Sequence, residues 1–131
     1  MRLVPALAVL VVASACAPRG PSHTSLHVVD GEVVYSTPPP TSAYASYLRC
    51  RLALEATPPR LDEAAGYIEA AIAADPRDPQ LWTVQGEIAA RRGDGARAMA
   101  SVKRALELAD GYPPAKQLEA RLGKSDAVAG P

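Results

Sequence analysis

The sequence contains no phenylalanine and one tryptophan, so large aromatic side chains cannot dominate its core. Strands draw on aromatic and β-branched residues, whereas closely packed helices are well served by small residues such as alanine. Alanine is abundant throughout the chain. The composition therefore predicts an all-α domain in which the helices approach one another closely.

The chain also lacks an excess of charge of either sign, because 14 Lys and Arg residues balance 14 Asp and Glu residues. Proteins that bind nucleic acid through electrostatic attraction usually present a strongly basic face or tail. We therefore expect no nucleic-acid partner. A length of 131 residues suits one domain with appended segments.

Histidine is scarce, and both copies, His23 and His27, precede the region of helical periodicity. That region consequently lacks the imidazole base that Ser/His or Cys/His catalysis requires. It also contains no GxxxxGK[ST] phosphate-binding loop. Carboxylates such as Asp62 and Asp78 fall at expected helix ends, where they favour the helix dipole or cap the helix. We predict that the protein is not an enzyme.

A metal or redox protein that uses His23, His27 and Cys50 is a weaker alternative. Two histidines at i and i+4 would share one face of a helix and could bind a metal there. The residues around them are not helical in character, and no third ligand is evident. We therefore expect neither a metal nor another cofactor.

No apolar run in the sequence reaches the roughly 20 residues that a membrane-spanning helix needs. The chain nevertheless opens with the features of an export signal. Arg2 supplies a positive charge, and the apolar stretch 3–15 has the length of a signal-peptide h-region, roughly 7–15 residues. We predict a signal peptide over residues 1–15.

The predicted signal peptide ends in Ala13-Ser14-Ala15-Cys16, which resembles the lipobox of bacterial lipoproteins. The resemblance implies cleavage before Cys16 and a diacylglycerol anchor on its thiol, although that family prefers leucine where Ala13 stands. In that family, Ala17 after the cysteine implies the outer membrane, on either its periplasmic or its surface side. The alternative is an ordinary A-x-A cleavage site that releases a secreted or periplasmic protein.

Residues 16–40 have the composition of a linker and end in the triple proline 38–40. Within this linker, Asp30-Gly31 separates two β-branched runs, a pattern typical of a two-residue turn. We predict a small β-hairpin over residues 26–35. A two-stranded hairpin alone is marginally stable in water, so it would have to pack on the domain or on a partner.

The remaining apolar residues form an internal repeat with a period of 34 residues. At that offset the apolar positions coincide at helical spacing, i, i+1, i+4, i+7 and i+8. The matched pairs are Ala64 and Ala98, Ala65 and Met99, Ile68 and Val102, Ala71 and Ala105, and Ile72 and Leu106. The preceding helices match at an offset of 36, with Cys50 opposite Gly86, and a third copy begins at Ala115.

A period of 34 residues built from two helices is similar to the tetratricopeptide repeat (TPR). The second copy matches that family's signature at Trp82, Gly86, Ala89, Ala98 and Ala105. The departures are Ser46, at the large-residue position of the first copy, and Asp110, where a proline usually ends the repeat. The resemblance implies a short TPR-like α-solenoid of two helix-turn-helix repeats and a capping helix over 41–124, followed by a disordered tail, 125–131.

In the TPR family the first helices of the repeats line a groove that binds extended peptides or partner helices. The groove positions carried over to this chain are Tyr44, Tyr47, Arg51, Thr83, Glu87, Arg91, Gln117 and Arg121. The arginines would clamp carboxylates and the tyrosines would supply apolar contact. The alternative is that these residues form a solvated face. Cys50 occupies the small-residue position of the first copy, so we expect it to be buried.

The expected function is that of a non-catalytic protein–protein interaction module, a lipid-anchored adaptor or scaffold of the bacterial envelope. The alternative is a secreted, unanchored subunit of an envelope or secretion complex. Two repeats and a cap are few, since a solenoid usually needs three or more repeats. Either the cap and the hairpin suffice for stability, or the ends of the repeat array stack on another protein. The sequence leaves the oligomeric state open.

Overall fold

The computed structural model describes residues 25–29, 32–36 and 38–128, with side chains described from 38 to 124. The predicted signal peptide, the predicted lipidation site Cys16, His23, the residues Asp30 and Gly31 of the predicted turn, and residues 129–131 lie outside the described residues. The chain divides into two compact units, Met1–Pro38 and Pro39–Pro131.

The first unit contains two β-strands, β1 (Ser25–Val29) and β2 (Glu32–Ser36). The strands pair antiparallel, with Leu26 opposite Tyr35 and Val28 opposite Val33. Both strands are rich in valine, a β-branched residue that fits the pleated backbone of a strand.

The second unit consists of five helices. They are α1 (Thr41–Glu55), α2 (Leu61–Ala74), α3 (Pro79–Arg91), α4 (Gly95–Leu108) and α5 (Pro113–Val128). No strand occurs between residues 38 and 128, which confirms the prediction of an all-α domain. Helix α5 continues to Val128 and so enters the segment 125–131, where the sequence suggests a tail. No proline interrupts the chain between Lys124 and Val128, so its backbone can continue the helical hydrogen-bond pattern.

Two of these helices begin at aspartate caps. The Asp78 carboxylate accepts a hydrogen bond from the Gln80 backbone N–H at 2.8 Å, and Pro79 occupies the first helical position. Likewise, the Asp94 carboxylate accepts from the Arg97 backbone N–H at 3.0 Å. Such bonds satisfy donors that the first turn of a helix leaves without a partner. The prediction that Asp78 lies at a helix end and caps it is thus confirmed.

Glycines with positive φ end two of the helices. Gly93 follows α3 with a φ of 79°, and Gly111 follows α4 with a φ of 72°. Glycine adopts this left-handed conformation without the steric cost that a Cβ would impose.

Helices that are adjacent in sequence pack against each other along the second unit. Helices α1 and α2 form one closely packed pair and α3 and α4 form another. Helix α2 also contacts α3, and α5 contacts both α3 and α4. Each helix pair therefore buries its apolar face partly within the pair and partly against the next helix.

The core consists of two clusters of mostly small apolar side chains. The first cluster is formed by Cys50, Ala53, Leu54, Ala64, Ile68, Ala71, Ile72, Leu81, Val84 and Ile88. The second is formed by Val102, Ala105, Ala115 and Leu118. Trp82 packs against both clusters and so connects them.

Candidate docking groove

A depression of about 160 Å³ lies between α1, α3 and the start of α5. We call it the central depression. It is lined by Tyr47, Arg51, Gln80, Thr83, Val84, Glu87, Tyr112 and Pro114. Four of these residues, Tyr47, Arg51, Thr83 and Glu87, belong to the groove that the sequence predicts. The structure therefore brings half of the predicted groove residues together around one depression.

A second depression, of about 180 Å³, lies beside the first towards the start of α1. We call it the N-terminal depression. Its lining residues are Pro39, Ala43, Tyr44, Tyr47, Asp78, Gln80 and Leu81. Tyr47 and Gln80 line both depressions, so the two form one continuous surface, which we call the groove.

A hydrogen bond between the shared residues forms the ridge that separates the two depressions. The Gln80 side-chain amide donates to the Tyr47 hydroxyl at 2.7 Å and thereby joins α3 to α1. The Tyr47 ring also packs against the first core cluster. This residue is held on two sides, so a partner would meet a fixed aromatic surface and would gain its contact area at little entropic cost.

Thr83 lies in the floor of the central depression and is buried. Its hydroxyl donates a hydrogen bond to the Pro79 carbonyl oxygen at 2.9 Å. The donor is therefore already used within α3. Thr83 can contribute shape to the groove, but its hydroxyl proton has an intramolecular partner.

Two ion pairs lie at the end of the groove that is nearer the C-terminus of α1. Arg51 contacts the Glu55 carboxylate at 3.4 Å, and Arg121 of α5 contacts the Glu87 carboxylate at 3.3 Å. The side chains of Arg51 and Arg121 are 41 % and 65 % exposed. Exposed ion pairs contribute roughly 0–1 kcal/mol each. A charged group of a partner can therefore replace either intramolecular partner at little cost in free energy.

Tyr112 forms the wall of the central depression near the start of α5. Burial raises the pKa of its hydroxyl, and the Asp78 carboxylate and Tyr47 raise it further. The hydroxyl therefore stays protonated at neutral pH and can donate a hydrogen bond within the groove.

Of the other four predicted groove residues, one lines the groove, one contacts a lining residue, and two do not line it. Tyr44 lines the N-terminal depression and is 55 % exposed. Arg121 is connected to the central depression through Glu87. Arg91 and Gln117 are exposed but line neither depression. Arg91 lies in the last turn of α3, beyond Glu87.

The sequence prediction omitted four residues of the central depression, Gln80, Val84, Tyr112 and Pro114. The repeat contains a signal for two of them, because Gln80 follows Tyr44 by 36 residues and Pro114 follows Gln80 by 34. These are the offsets that relate the three copies, so extending the Tyr44 position along the chain would have identified both. Tyr112 precedes α5 in a loop, outside the helical period, and has no such signal.

Cys50 is fully buried beside the groove, in the first core cluster. Burial raises the pKa of its thiol to about 11, while the Arg51 guanidinium lowers it and the Glu87 carboxylate raises it. The thiolate is the nucleophilic and metal-binding form of cysteine. At neutral pH Cys50 is therefore a neutral packing residue, as the sequence predicts.

No three His, Cys, Asp or Glu side chains lie close enough to hold a metal ion in the part of the chain that the structure describes. The His27 side chain is outside that part. Of the helices described, none combines the length and the apolar character needed to cross a bilayer. The sequence matches no model of a protein family, and no curated protein matches it.

Proposed function

We propose that this protein is a non-catalytic protein-interaction module, in which the five helices form a short TPR-like α-solenoid and the groove binds an extended peptide. The observation that supports the proposal is the lining of the central depression. The TPR resemblance implies that Tyr47, Arg51, Thr83 and Glu87 line a groove, and all four line this depression.

The chemistry of the groove indicates the kind of peptide that it would bind. The N-terminal depression is mainly apolar and would receive an apolar side chain beside Tyr44 and Leu81. At the other end, the guanidinium groups of Arg51 and Arg121 are exposed and are paired with Glu55 and Glu87, so the carboxylates of a peptide could replace these partners. We propose a peptide with an apolar residue followed or preceded by acidic residues, bound through Tyr47 between them.

Selection from a displayed library of random peptides on the full chain, carrying Cys16→Ser to leave one thiol, tests this proposal. The enriched peptides are then synthesised, and their affinities are measured by fluorescence anisotropy. We expect sequences that combine acidic and apolar residues. Arg51→Glu should weaken their binding about tenfold or more, because it places like charges together across the groove.

Lys103→Glu is the matched control, because Lys103 is exposed on α4 and lines neither depression. It makes the same change in net charge and should leave the affinity unchanged. If the selected peptides bind both variants as tightly as the original chain, the groove is not the binding surface. If the library yields no enriched peptide, the proposal that this chain binds an extended peptide is wrong.

We further propose that the module is attached to the bacterial outer membrane through an acylated Cys16. The support is the lipobox-like stretch Ala13–Cys16 and the linker composition that follows it. Incorporation of labelled palmitate, its loss in Cys16→Ala, and accumulation of the precursor in globomycin would agree with this proposal. An unlabelled protein that is processed normally in globomycin would instead favour the secreted, unanchored subunit.

Finally, we propose that β1 and β2 form a hairpin whose turn is Asp30-Gly31. Val29 pairs with Glu32, which leaves two residues for the connection, the loop length that type I′ turns require. Cross-strand nuclear Overhauser effects between Leu26 and Tyr35 would support it. Gly31→Val should abolish them, because valine disfavours the positive φ that this turn needs.

A further inference from the structure

The ridge between the two depressions carries hydrogen-bonding groups that its own bond leaves open. Tyr47 and Gln80 line both depressions, and the Gln80 amide donates to the Tyr47 hydroxyl at 2.7 Å. The Tyr47 hydroxyl proton then remains as a donor and the Gln80 side-chain oxygen as an acceptor. Within the described part of the chain, no further hydrogen bond uses either group. If the amide were reversed, Tyr47 would offer the acceptor and Gln80 the donor, so the ridge presents one of each in either orientation.

Four other polar side chains that line the groove have partners of their own. The Thr83 hydroxyl donates within α3, and the Asp78 carboxylate caps the same helix. Arg51 and Glu87 are each paired with a group of opposite charge. The open groups of the ridge differ from these in being neutral, unoccupied and adjacent to each other.

A peptide that crosses the ridge must find partners for its own backbone groups. Each N–H or C=O that loses water there needs a replacement bond, because an unpaired buried group costs free energy. In an extended chain the N–H and the C=O of one residue point to the same side. They form a neutral donor and acceptor side by side, and the ridge offers the complementary acceptor and donor.

We propose that Tyr47 and Gln80 bind the backbone of one extended peptide residue. The Tyr47 hydroxyl donates to the C=O of that residue, and the Gln80 side-chain oxygen accepts from its N–H. Gln80 is already held in place, because the Asp78 carboxylate accepts from its backbone N–H at 2.8 Å and Tyr47 accepts from its amide. This inference rests on the proposed function and adds to it the contact that fixes the register of the peptide.

In the proposed repeat architecture this pair occurs once. The repeat position of Gln80 is occupied by Tyr44 in the first copy and by Pro114 in the third, and neither residue carries an amide. Tyr47 corresponds to Thr83, whose hydroxyl already donates within α3. The bound residue therefore lies at one position, between the apolar and the acidic residues of the peptide. A backbone contact selects no side chain there but excludes proline, which has no N–H.

An ester scan of the peptides enriched from the random library tests the proposal on the full chain carrying Cys16→Ser. Each residue of the synthetic peptide is replaced in turn by its α-hydroxy acid, which puts an ester oxygen in place of the N–H. Fluorescence anisotropy measures the affinities. We expect a loss of about three- to tenfold at one position between the apolar and the acidic residues, the usual effect of one hydrogen bond. Proline should be absent from that position in the enriched sequences.

Gln80→Met identifies the acceptor of this N–H. The variant keeps the length of the side chain and removes the amide, so the parent peptide should bind about three- to tenfold more weakly. The ester should then cause no further loss, because the bond that it removes is already absent. Lys103→Met is the matched control, since Lys103 is exposed on α4 and lines neither depression. It should preserve both the affinity and the effect of the ester. Circular dichroism shows that the variants are folded.

Two results would overturn the proposal. They are affinities that no ester position lowers, and an ester effect that is as large in Gln80→Met as in the parent chain. If Arg51→Glu still weakens binding in either case, the proposed function stands and only the backbone contact is wrong. A library without enriched peptides would instead remove the proposed function, and this inference with it.

Discussion

Gly86 in α3 lies directly against the side chain of Leu118 in α5. A Cβ at residue 86 would be 3.0 Å from Leu118 Cδ2 and 3.2 Å from the Ala98 carbonyl oxygen of α4. Both distances are shorter than ordinary contacts between such atoms. The missing side chain of Gly86 is therefore what allows α3 to approach α4 and α5 so closely.

Gly86→Val should lower the free energy of unfolding by about 2–3 kcal/mol, because the added carbons overpack the junction of three helices. Gly66 in α2 is the matched control, since a Cβ there would meet no atom within 4 Å. Gly66→Val should be neutral or slightly stabilising, because valine has a somewhat better helix propensity than glycine. Urea unfolding followed by circular dichroism measures both. Equal effects at the two glycines would contradict the close approach at Gly86.

Asp78→Ala should lower the free energy of unfolding by about 1 kcal/mol, the usual effect of removing an N-cap. The Asp78 carboxylate accepts from the Gln80 backbone N–H at 2.8 Å, and alanine cannot replace that bond. Asp110→Ala removes the same charge from an exposed loop residue and should change stability by less than about 0.5 kcal/mol. Thermal or urea unfolding of the two variants measures both effects. If the two variants are equally stable, the Asp78 cap is not a stabilising contact.

Trp82→Ala should destabilise the domain by about 2–3 kcal/mol. The indole packs against both core clusters, and its Nε1–H donates to the Pro76 carbonyl oxygen at 2.9 Å. The Arg104 guanidinium also lies 5.9 Å from the ring centroid. Met99→Ala removes a large apolar side chain from an exposed position and should have a much smaller effect. Circular dichroism in urea compares the two variants, and similar losses would mean that Trp82 does not join the clusters.

The stability of the folded chain should fall as the pH rises from about 9 to about 11, in part because of Cys50. Burial raises the pKa of this thiol to about 11 in the folded chain, so the unfolded chain loses the proton first. The resulting stability is fully present below the unfolded pKa and is lost as the pH rises through the folded one.

At pH 10.5 this contribution should have decreased by roughly 1–2 kcal/mol relative to pH 8. Cys50→Ala removes it, whereas lysines and tyrosines titrate alike in both proteins. Urea unfolding at the two pH values should therefore show a smaller pH dependence in the variant than in the parent chain. The same pH dependence in both would mean that the thiol is not desolvated in the fold.

The helical architecture of the second unit could be predicted from the sequence because packing imposes a period on it. Ala64 and Ala98 are both completely buried, and each lies 34 residues from its counterpart. Small residues are required wherever two helices come close, so small residues recur in the sequence with the period of the helix pairs. The cap at Asp78 could be predicted as well, because an aspartate at the start of a helix accepts a hydrogen bond from a backbone N–H of the first turn.

The groove could be predicted only in part, because its surface depends on loops and on contacts between side chains. Tyr112 reaches the central depression from the loop before α5. Helical periodicity predicts the faces of helical residues only, so it does not predict where a loop residue lies. The TPR resemblance implies that Arg91 lines the groove, but the depression ends before the last turn of α3, where Arg91 lies. Pairing of Arg121 with Glu87 also depends on the distance between α3 and α5. The spacing of residues in the sequence does not predict that distance.

Trp82 gives the molecule an intrinsic optical probe. It is the one tryptophan of the chain and lies where the two core clusters meet. Its fluorescence should therefore respond when either core cluster comes apart, without any attached dye. A difference between its emission and the helical signal during unfolding would reveal whether the two halves melt together or in sequence.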